Sequence, residues 1–295
     1  MPAESTGPSP RIAVAFPGQG GDWSAGLDIL DAHPGHPLVR SLADLLGTDR
    51  WKALDPLDTR NAQPLVYVAG LVAAEGIDRE AVAVAMGHSL GEITAAAWAG
   101  AIAPDAGLRL MAERALVGRA AHGDRPSSMA AVMRWERADL EAAVRHVVEA
   151  APDHVLEVAV RNSDTQHVVS GDAAAVAALV ERANAAGAVA RALPIDGGYH
   201  CALLAPQLER FAAAVDRAVT ADAEIPVVGS TAPGPWTDRA QLVELITQSL
   251  VRHVDWPAAV AAAVGAGATT LVDAGPGDTI VRLARFLPQL PAAST

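Results

Sequence analysis

The sequence predicts an α/β protein with a smaller unit inserted into its main body. An apolar run at 81–86 leads into Met86–Glu92 and then into an alanine-rich segment, which predicts a buried strand, a sharp turn and a helix in succession. Apolar runs at 11–16 and 269–273 likewise end in glycine-rich loops. Between them, residues 127–193 follow the order strand-helix-strand-strand-helix-strand, which is typical of a ferredoxin-like unit.

The elements expected along the chain follow from these patterns. Residues 31–62 look irregular, and a helix is expected from Gln63 with Pro64 in its first turn. Another helix is expected from Pro104 with Asp105 as its N-cap. The expected strands are 11–16, 81–86, 129–133, 155–160, 167–170, 188–193, 225–230 and 269–273. The further expected helices are 93–99, 137–150, 172–186, 206–219 and 241–252.

Charge and length limit the possible functions. The chain has 295 residues, enough for a full core, and its 34 acidic and 22 basic residues give a net charge of −12. Nucleic acid is therefore not expected as a partner. Lys52 is the only lysine, so an anion site here would have to use arginine, which suits carboxylates.

Composition also indicates where the protein acts and whether it binds a metal. The start of the chain lacks the apolar block of a secretory signal, and the longest charge-free run, 257–272, is too short to span a bilayer. The single cysteine, Cys201, precludes an intrachain disulfide. We therefore expect a soluble, cytoplasmic protein without membrane contact. A monomer is also expected. The spacing of histidines, cysteines and acidic residues does not predict a metal site.

Ser89 is the candidate nucleophile. It lies within Gly87–Gly91, a G-x-S-x-G pattern whose glycines allow a sharp strand-to-helix turn that exposes the serine hydroxyl. The amides at the start of the following helix would point at the reacting centre. The alternative is an ordinary buried serine in a glycine-rich turn.

Three other features are compatible with a site. The loop 17–23 after the first strand could direct amides toward an anion or serve only as a turn. It lacks the lysine of a phosphate-binding loop, which disfavours nucleotide binding. Arg114 lies 25 residues after Ser89, and could be a ligand-binding residue or a solvated arginine on a helix surface. His200 falls between a strand and a helix.

Taken together and in order, these motifs resemble one family. Phe16–Gly20 (FPGQG), Gly87–Glu92 (GHSLGE), Arg114, His200 and the segment 162–171 resemble the acyltransferases typified by malonyl-CoA:acyl carrier protein transacylase and the acyltransferase domains of polyketide synthases. The resemblance extends from Phe16 to about Arg285.

The resemblance implies a Ser-His mechanism. Ser89 would take an acyl group from a thioester, with His200 as base, and then pass it to a thiol in ping-pong fashion. A backbone carbonyl, not an aspartate, would orient the imidazole. The backbone amides of Gln19 and Leu90 would form the oxyanion hole.

The resemblance also implies substrate-binding residues. Arg114 would grip the free carboxylate of a malonyl-type group through two parallel bonds. His88 would support the serine, and Asn162 would also contribute to the substrate site. Tyr199 and Gly197 depart from the patterns of malonyl and methylmalonyl enzymes, Tyr199 narrowing the pocket and Gly197 removing bulk. Leu90 favours malonyl.

The implied fold is an α/β-hydrolase-like catalytic domain with a parallel central sheet. It would comprise 11–126 and 194–287, with the ferredoxin-like subdomain at 127–193 and flexible tails at 1–10 and 288–295. No bound cofactor is implied. Coenzyme A thioesters would be substrates, and a holo acyl carrier protein would be the partner through its phosphopantetheine thiol, in polyketide or fatty-acid biosynthesis.

Two alternatives stay open. The same fold could transfer an unusual acyl group between carrier proteins, or it could hydrolyse acyl thioesters. An unrelated α/β-hydrolase shares G-x-S-x-G but usually places its histidine near the end of the chain, whereas 95 residues follow His200 here.

Overall fold

The computed structural model describes residues 11–20 and 22–294, so the expected tail at 1–10 lies outside the described residues. The strands are β1 (Ile12–Phe16), β2 (Val82–Gly87), β3 (Ser127–Met133), β4 (Leu156–Arg161), β5 (Gln166–Asp172), β6 (Val189–Ala192), β7 (Val227–Gly229), β8 (Pro235–Trp236), β9 (Val254–Asp255), β10 (Thr270–Asp273) and β11 (Ala292–Ser294). The helices are α1 (Trp23–Ala32), α2 (Pro37–Leu46), α3 (Thr59–Ala73), α4 (Gly91–Trp98), α5 (Pro104–Asp124), α6 (Arg137–Ala150), α7 (Ala173–Ala185), α8 (Leu208–Ala218), α9 (Arg239–Gln248), α10 (Trp256–Gly265) and α11 (Thr279–Ala284).

The first sheet has the order β11-β10-β1-β2-β7-β8. Its pairs are parallel except for the antiparallel pair of β7 with β8. β1 and β2 lie at its centre, with Val14 opposite Ala85 on one side and opposite Val272 on the other. Both strands are almost fully buried, as expected for a parallel sheet covered by helices on both faces.

The second sheet has the order β6-β3-β5-β4-β9. The pairs among β3, β4, β5 and β6 are antiparallel, and β9 adds in parallel to β4 at Val160 and Arg161. Helices α6 and α7 contact this sheet and each other through a separate apolar core that includes Leu140, Val147 and Leu179. The protein is therefore a mixed α/β fold with two mixed sheets.

The first sheet brings two loops together at the carboxyl ends of its central strands. β1 ends at Phe16 and β2 at Gly87, and the His88 amide donates a hydrogen bond to the Phe16 carbonyl at 2.9 Å. Carboxyl ends of adjacent parallel strands meet at one edge, which is where open α/β sheets bind ligands. The glycine-rich loop 17–20 therefore lies beside the turn that carries Ser89.

The expectation for residues 31–62 is wrong. This segment includes α2, which the His36 side chain caps by accepting the Leu38 amide, and it includes the start of α3. Pro64 lies inside α3, not in its first turn. Its missing amide removes only the hydrogen bond to the carbonyl of Arg60, an exposed residue near the helix start, so the helix continues.

Residues 288–294 are packed, in contrast to the flexible tail expected at 288–295, whose last residue lies outside the described residues. β11 pairs in parallel with β10, and Leu290 is fully buried in an apolar cluster with Leu287. These leucines cover one face of the first sheet, whose apolar surface would otherwise meet water. The order stems from this burial and pairing.

Candidate active site

Ser89 stands at the turn between β2 and α4. Its φ of 56° is in the left-handed region, which a non-glycine residue seldom adopts without support from its surroundings. The flanking glycines are required by space: a Cβ on Gly87 would lie 2.1 Å from the Glu92 amide nitrogen, and one on Gly91 would lie 2.2 Å from the Phe16 carbonyl oxygen. The turn is therefore too tight for any other residue at these two positions.

His200 is hydrogen-bonded to this serine. Ser89 Oγ lies 2.6 Å from His200 Nε2, and His200 Nδ1 lies 3.0 Å from the Arg252 carbonyl oxygen. Because a carbonyl can only accept, Nδ1 carries the proton, and the unprotonated Nε2 accepts from the Ser89 hydroxyl. A backbone carbonyl therefore sets the tautomer, where many Ser-His sites use a carboxylate.

Burial keeps the imidazole neutral. Burial and, to a smaller extent, the charge of Arg114 lower the pKa of His200 to about 3. The neutral form is the one that can take a proton from a serine hydroxyl. The arrangement suits a general base.

The two amides expected for the oxyanion hole come from the two adjoining loops. Gln19 and Leu90 both line the cavity beside Ser89. The Ser89 amide donates to Ser230 Oγ at 3.1 Å, whereas the Leu90 amide has no acceptor among the described residues. Of the successive amides of Ser89 and Leu90, only that of Leu90 is therefore available to a ligand.

Arg114 is buried, so the alternative of a solvated surface arginine is wrong. Its side chain is 2% exposed on α5 and lines the cavity, and its guanidinium carbon lies 4.6 Å from the centre of the Tyr199 ring. Its Nε and Nη2 have no hydrogen-bond partner in the part of the chain that the structure describes. Burial lowers the pKa of Arg114, but a guanidinium stays charged in proteins. A buried, unpaired cation of this kind fits a ligand carboxylate.

A polar network fixes the aromatic ring beneath Arg114. The Tyr199 hydroxyl accepts from Gln63 Nε2 at 3.0 Å and lies 3.3 Å from Thr59 Oγ1. Gln19 Oε1 accepts from the same two side chains. Tyr199 is thereby held in place, and its ring supports the guanidinium.

Gly197 does not line the cavity, so its expected effect on pocket bulk is not observed. A Cβ there would face the Gly118 carbonyl and His122 at 3.6 Å, and its φ of 93° favours glycine for backbone reasons. The glycine allows the chain to turn before Tyr199 and His200.

His88 and Asn162 connect the two sheets beside the serine. His88 Nε2 lies 2.9 Å from Asn162 Oδ1, and the imidazole packs against Trp256 with ring centres 5.4 Å apart. Burial lowers the pKa of His88, so it donates to Asn162 as a neutral ring. Both residues line the cavity.

The cavity has a volume of about 260 Å³ and lies between the two sheets. It has polar groups around Ser89 and an apolar wall on the far side, to which β3 contributes alternate residues and β4 and β5 contribute one apolar residue each. That alternation, visible in the sequence, is the signal that could have identified them. The apolar wall comprises Met129, Ala131, Val160, Val168, Leu193, Ile195 and Leu283.

Metal-binding clusters and membrane-spanning helices are both absent from the described part of the chain. In 11–20 and 22–294, no group of three histidine, cysteine, aspartate or glutamate side chains is arranged to hold a metal ion. Within the same ranges, no helix has the length and apolar character needed to cross a membrane.

Comparison with known proteins identifies the family. The family model described as acyl transferase domain matches residues 65–285. The chain belongs to the acyl transferase domain family. The expected acyltransferase activity is thereby confirmed at the level of the family, and an unrelated α/β-hydrolase is disfavoured.

Individual relatives of this acyl transferase are similar over almost their whole length. The malonyl CoA-acyl carrier protein transacylase of Mycobacterium tuberculosis is 30% identical, over 93% of this chain and 92% of that protein. The crystal structure of acyl-carrier-protein S-malonyltransferase from Burkholderia pseudomallei is 28% identical with a TM-score of 0.83, covering 96% and 95% of the two chains. A malonyl-transacylase in complex with its type II PKS acyl-carrier protein shares the fold, with a TM-score of 0.85 at 24% identity and coverage of 97% and 96%.

Proposed function

We propose that this acyl transferase moves a malonyl group from coenzyme A to the phosphopantetheine thiol of an acyl carrier protein. The observation that carries the proposal is the unpaired Arg114 guanidinium in the same cavity as the hydrogen-bonded Ser89 and His200. The dyad suits acyl transfer in general, and the buried cation selects acyl groups with a free carboxylate. The names of the relatives agree with this substrate.

The first half-reaction forms an acyl-enzyme. Ser89 Oγ attacks the thioester carbonyl carbon while its proton passes to His200 Nε2, and the oxygen of the tetrahedral intermediate accepts from the amides of Gln19 and Leu90. The carbon–sulfur bond then breaks, and His200 returns the proton to the sulfur of coenzyme A. The malonyl group remains as an ester on Ser89, with its free carboxylate against Arg114.

The second half-reaction reverses these steps with a different thiol. The phosphopantetheine thiol gives its proton to His200 Nε2 and attacks the ester carbonyl, and the proton then returns to Ser89 Oγ as the ester bond breaks. Coenzyme A must leave before the carrier protein enters, which gives ping-pong kinetics. His88 and Asn162 would hold the turn and cavity wall beside the ester.

Supporting features of the fold form part of the proposal. The order β6-β3-β5-β4 with two helices supports a ferredoxin-like subdomain at 127–193. The parallel centre of the first sheet supports an α/β-hydrolase-like catalytic domain at 11–126 and 194–287. A cytoplasmic location and a monomeric state stay predictions.

The test is incubation with malonyl-CoA in the presence and absence of a holo carrier protein. We expect malonyl-carrier protein as the product, with little free malonate, and Ser89→Ala should remove both transfer and the covalent adduct. Malonate release without transfer would support the alternative of a thioester hydrolase. Transfer only of acyl groups other than malonyl would support the alternative of an unusual donor.

A further inference from the structure

Glu92 is a buried carboxylate directly below the turn that carries Ser89. It is fully buried as the second residue of α4, and it takes its hydrogen bonds from the loop after β7. Glu92 Oε1 accepts from the Ser230 and Thr231 amides at 2.7 Å each and from their hydroxyls at 2.9 and 3.0 Å. The carboxylate therefore joins the start of α4 to a segment about 140 residues further along the chain.

The hydrogen bond to Glu92 determines which other hydrogen bonds the Ser230 hydroxyl can make. A hydroxyl has one proton, and here Ser230 Oγ donates it to Glu92. Only its lone pairs are left, and these accept the Ser89 amide at 3.1 Å. A continuous path of hydrogen bonds thus runs from Glu92 through Ser230 to the Ser89 backbone.

The hydrogen-bond path ends at Ser89, where the backbone is strained. A non-glycine residue in the left-handed region costs about 1–3 kcal/mol and persists only if its surroundings hold it there. Ser89 has a φ of 56°, and its amide is the group that Ser230 fixes. The next peptide carries the Leu90 amide, whose direction depends on the same dihedral angles.

We propose that Glu92 and Ser230 are positioning residues for acyl transfer, holding the Ser89 peptide so that the Leu90 amide points to the developing oxyanion. This inference rests on the proposed function for its reaction, but neither residue lines the cavity. Their effect is expected on the rate of the chemical step, since they leave the contacts that bind the substrate unchanged.

Thr231 provides a matched control. Its hydroxyl also donates to Glu92, but its side chain makes no hydrogen bond to the Ser89 turn. Ser230→Ala and Thr231→Val each remove one hydroxyl from the same carboxylate, so their effects on the unfolding midpoint should be similar. Only Ser230→Ala removes the acceptor of the Ser89 amide.

The experiment measures kcat and KM for malonyl transfer in both variants, and the rate at which a fluorophosphonate labels Ser89. Removing an oxyanion donor outright lowers kcat about 100- to 1000-fold, so misalignment in Ser230→Ala should lower it about 10- to 100-fold. KM should stay within about twofold of the parent, a change of less than about 0.5 kcal/mol. The labelling rate should fall with kcat, and Thr231→Val should match the parent in both.

Two results would overturn the inference. One is equal kcat values for Ser230→Ala and the parent; the other is a loss in Thr231→Val as large as that in Ser230→Ala, which would indicate general destabilisation. Failure of the proposed function looks different, because the parent would then not transfer malonyl. The labelling comparison still tests the positioning role in that case.

Glu92→Gln is a second variant that tests the chemistry of the path. All four donors reach Oε1, and the Thr231 hydroxyl also lies near Oε2. An amide oxygen in place of Oε1 can accept them, while the amide nitrogen would face only the Thr231 hydroxyl. Glu92→Gln should therefore retain kcat within about tenfold, or about 1.4 kcal/mol. A loss as large as that of Ser89→Ala would contradict a role through hydrogen bonds alone.

Discussion

Two ionisable side chains are buried near the reacting serine, and they differ in their hydrogen-bond partners. Glu92 is fully buried and accepts hydrogen bonds from four donors, the amides and hydroxyls of Ser230 and Thr231. Arg114 is 2% exposed, and two of its guanidinium nitrogens have no partner among the described residues. The carboxyl group of Glu92 finds its partners within the protein, whereas the guanidinium of Arg114 keeps unpaired nitrogens that a ligand can use.

This difference in hydrogen-bond partners distinguishes a group that stabilises the fold from a group that binds a ligand. A buried ion without partners costs free energy, so a folded protein retains one only where something else benefits. Burial raises the pKa of Glu92 to about 7, with the hydrogen bonds opposing this effect, and it lowers the pKa of Arg114. Burial alone therefore does not identify the functional group; the missing partners do.

The largest expected effect is on substrate choice. Arg114→Met keeps the unbranched stem of the side chain but removes the cation, so kcat/KM for malonyl transfer should fall by about 2–4 kcal/mol, or about 30- to 1000-fold. Acetyl transfer has no carboxylate to lose and should change little. The measurement is a comparison of malonyl-CoA and acetyl-CoA in the parent and the variant.

Arg114→Lys is the matched control for this effect. It keeps a charge but loses the planar fork, so its malonyl transfer should lie between those of the parent and Arg114→Met. Equal losses for malonyl and acetyl in Arg114→Met would remove the argument for a carboxylate partner.

The next largest effect is on stability, and it concerns Glu92. Glu92→Leu leaves the amides and hydroxyls of Ser230 and Thr231 without their acceptor, so the free energy of unfolding should fall by about 3–5 kcal/mol. Chemical denaturation of the parent and the variant measures this difference. An unchanged unfolding midpoint would show that water or other groups replace the carboxylate.

Replacing Arg114 is expected to change the free energy of unfolding in the opposite direction. Replacing an unpaired buried guanidinium with methionine removes a desolvated charge, so Arg114→Met should raise the free energy of unfolding by about 1–3 kcal/mol. The same denaturation experiment, without substrate, tests this prediction. A destabilised variant would mean that Arg114 contributes to the packed core more than its missing hydrogen bonds suggest.

The smallest expected effect is on pH dependence. Only neutral His200 can take the serine proton, and its pKa is lowered to about 3 by burial and then by the Arg114 charge. A lowered pKa of His200 moves the acid-side fall of kcat/KM to lower pH. The value of kcat/KM for acetyl-CoA should therefore stay level to well below pH 6.5. Arg114→Met removes the cation and raises the pKa of His200, so kcat/KM should begin to fall at a higher pH. An identical pH profile in both proteins would contradict the effect of the Arg114 charge on His200.

Local patterns in the sequence predicted much of the fold. The turn at Gly87–Gly91 and the six elements within 127–193 follow from glycine spacing and apolar periodicity, which act over a few residues. The error at 31–62 came from signals that were present but weak, because His36 is an uncommon N-cap and Pro64 lies within a helix.

The site could be predicted only as far as its motifs extend. Ser89, His200 and Arg114 were candidates, and the structure brings all three to one cavity. The contact of Glu92 with Ser230 spans 138 residues, and no local pattern encodes it. The lack of partners around Arg114 is likewise a property of three-dimensional packing, since it depends on what every neighbouring element does not provide.

Intact-mass spectrometry after brief exposure to an equal mixture of malonyl-CoA and acetyl-CoA tests the central claim most directly. A serine activated by His200 beside an unpaired Arg114 should carry one malonyl group, which peptide mapping should place on Ser89, and Arg114→Met should shift the adduct toward acetyl. An adduct on another residue, or acetyl and malonyl in equal amounts on the parent, would contradict the account.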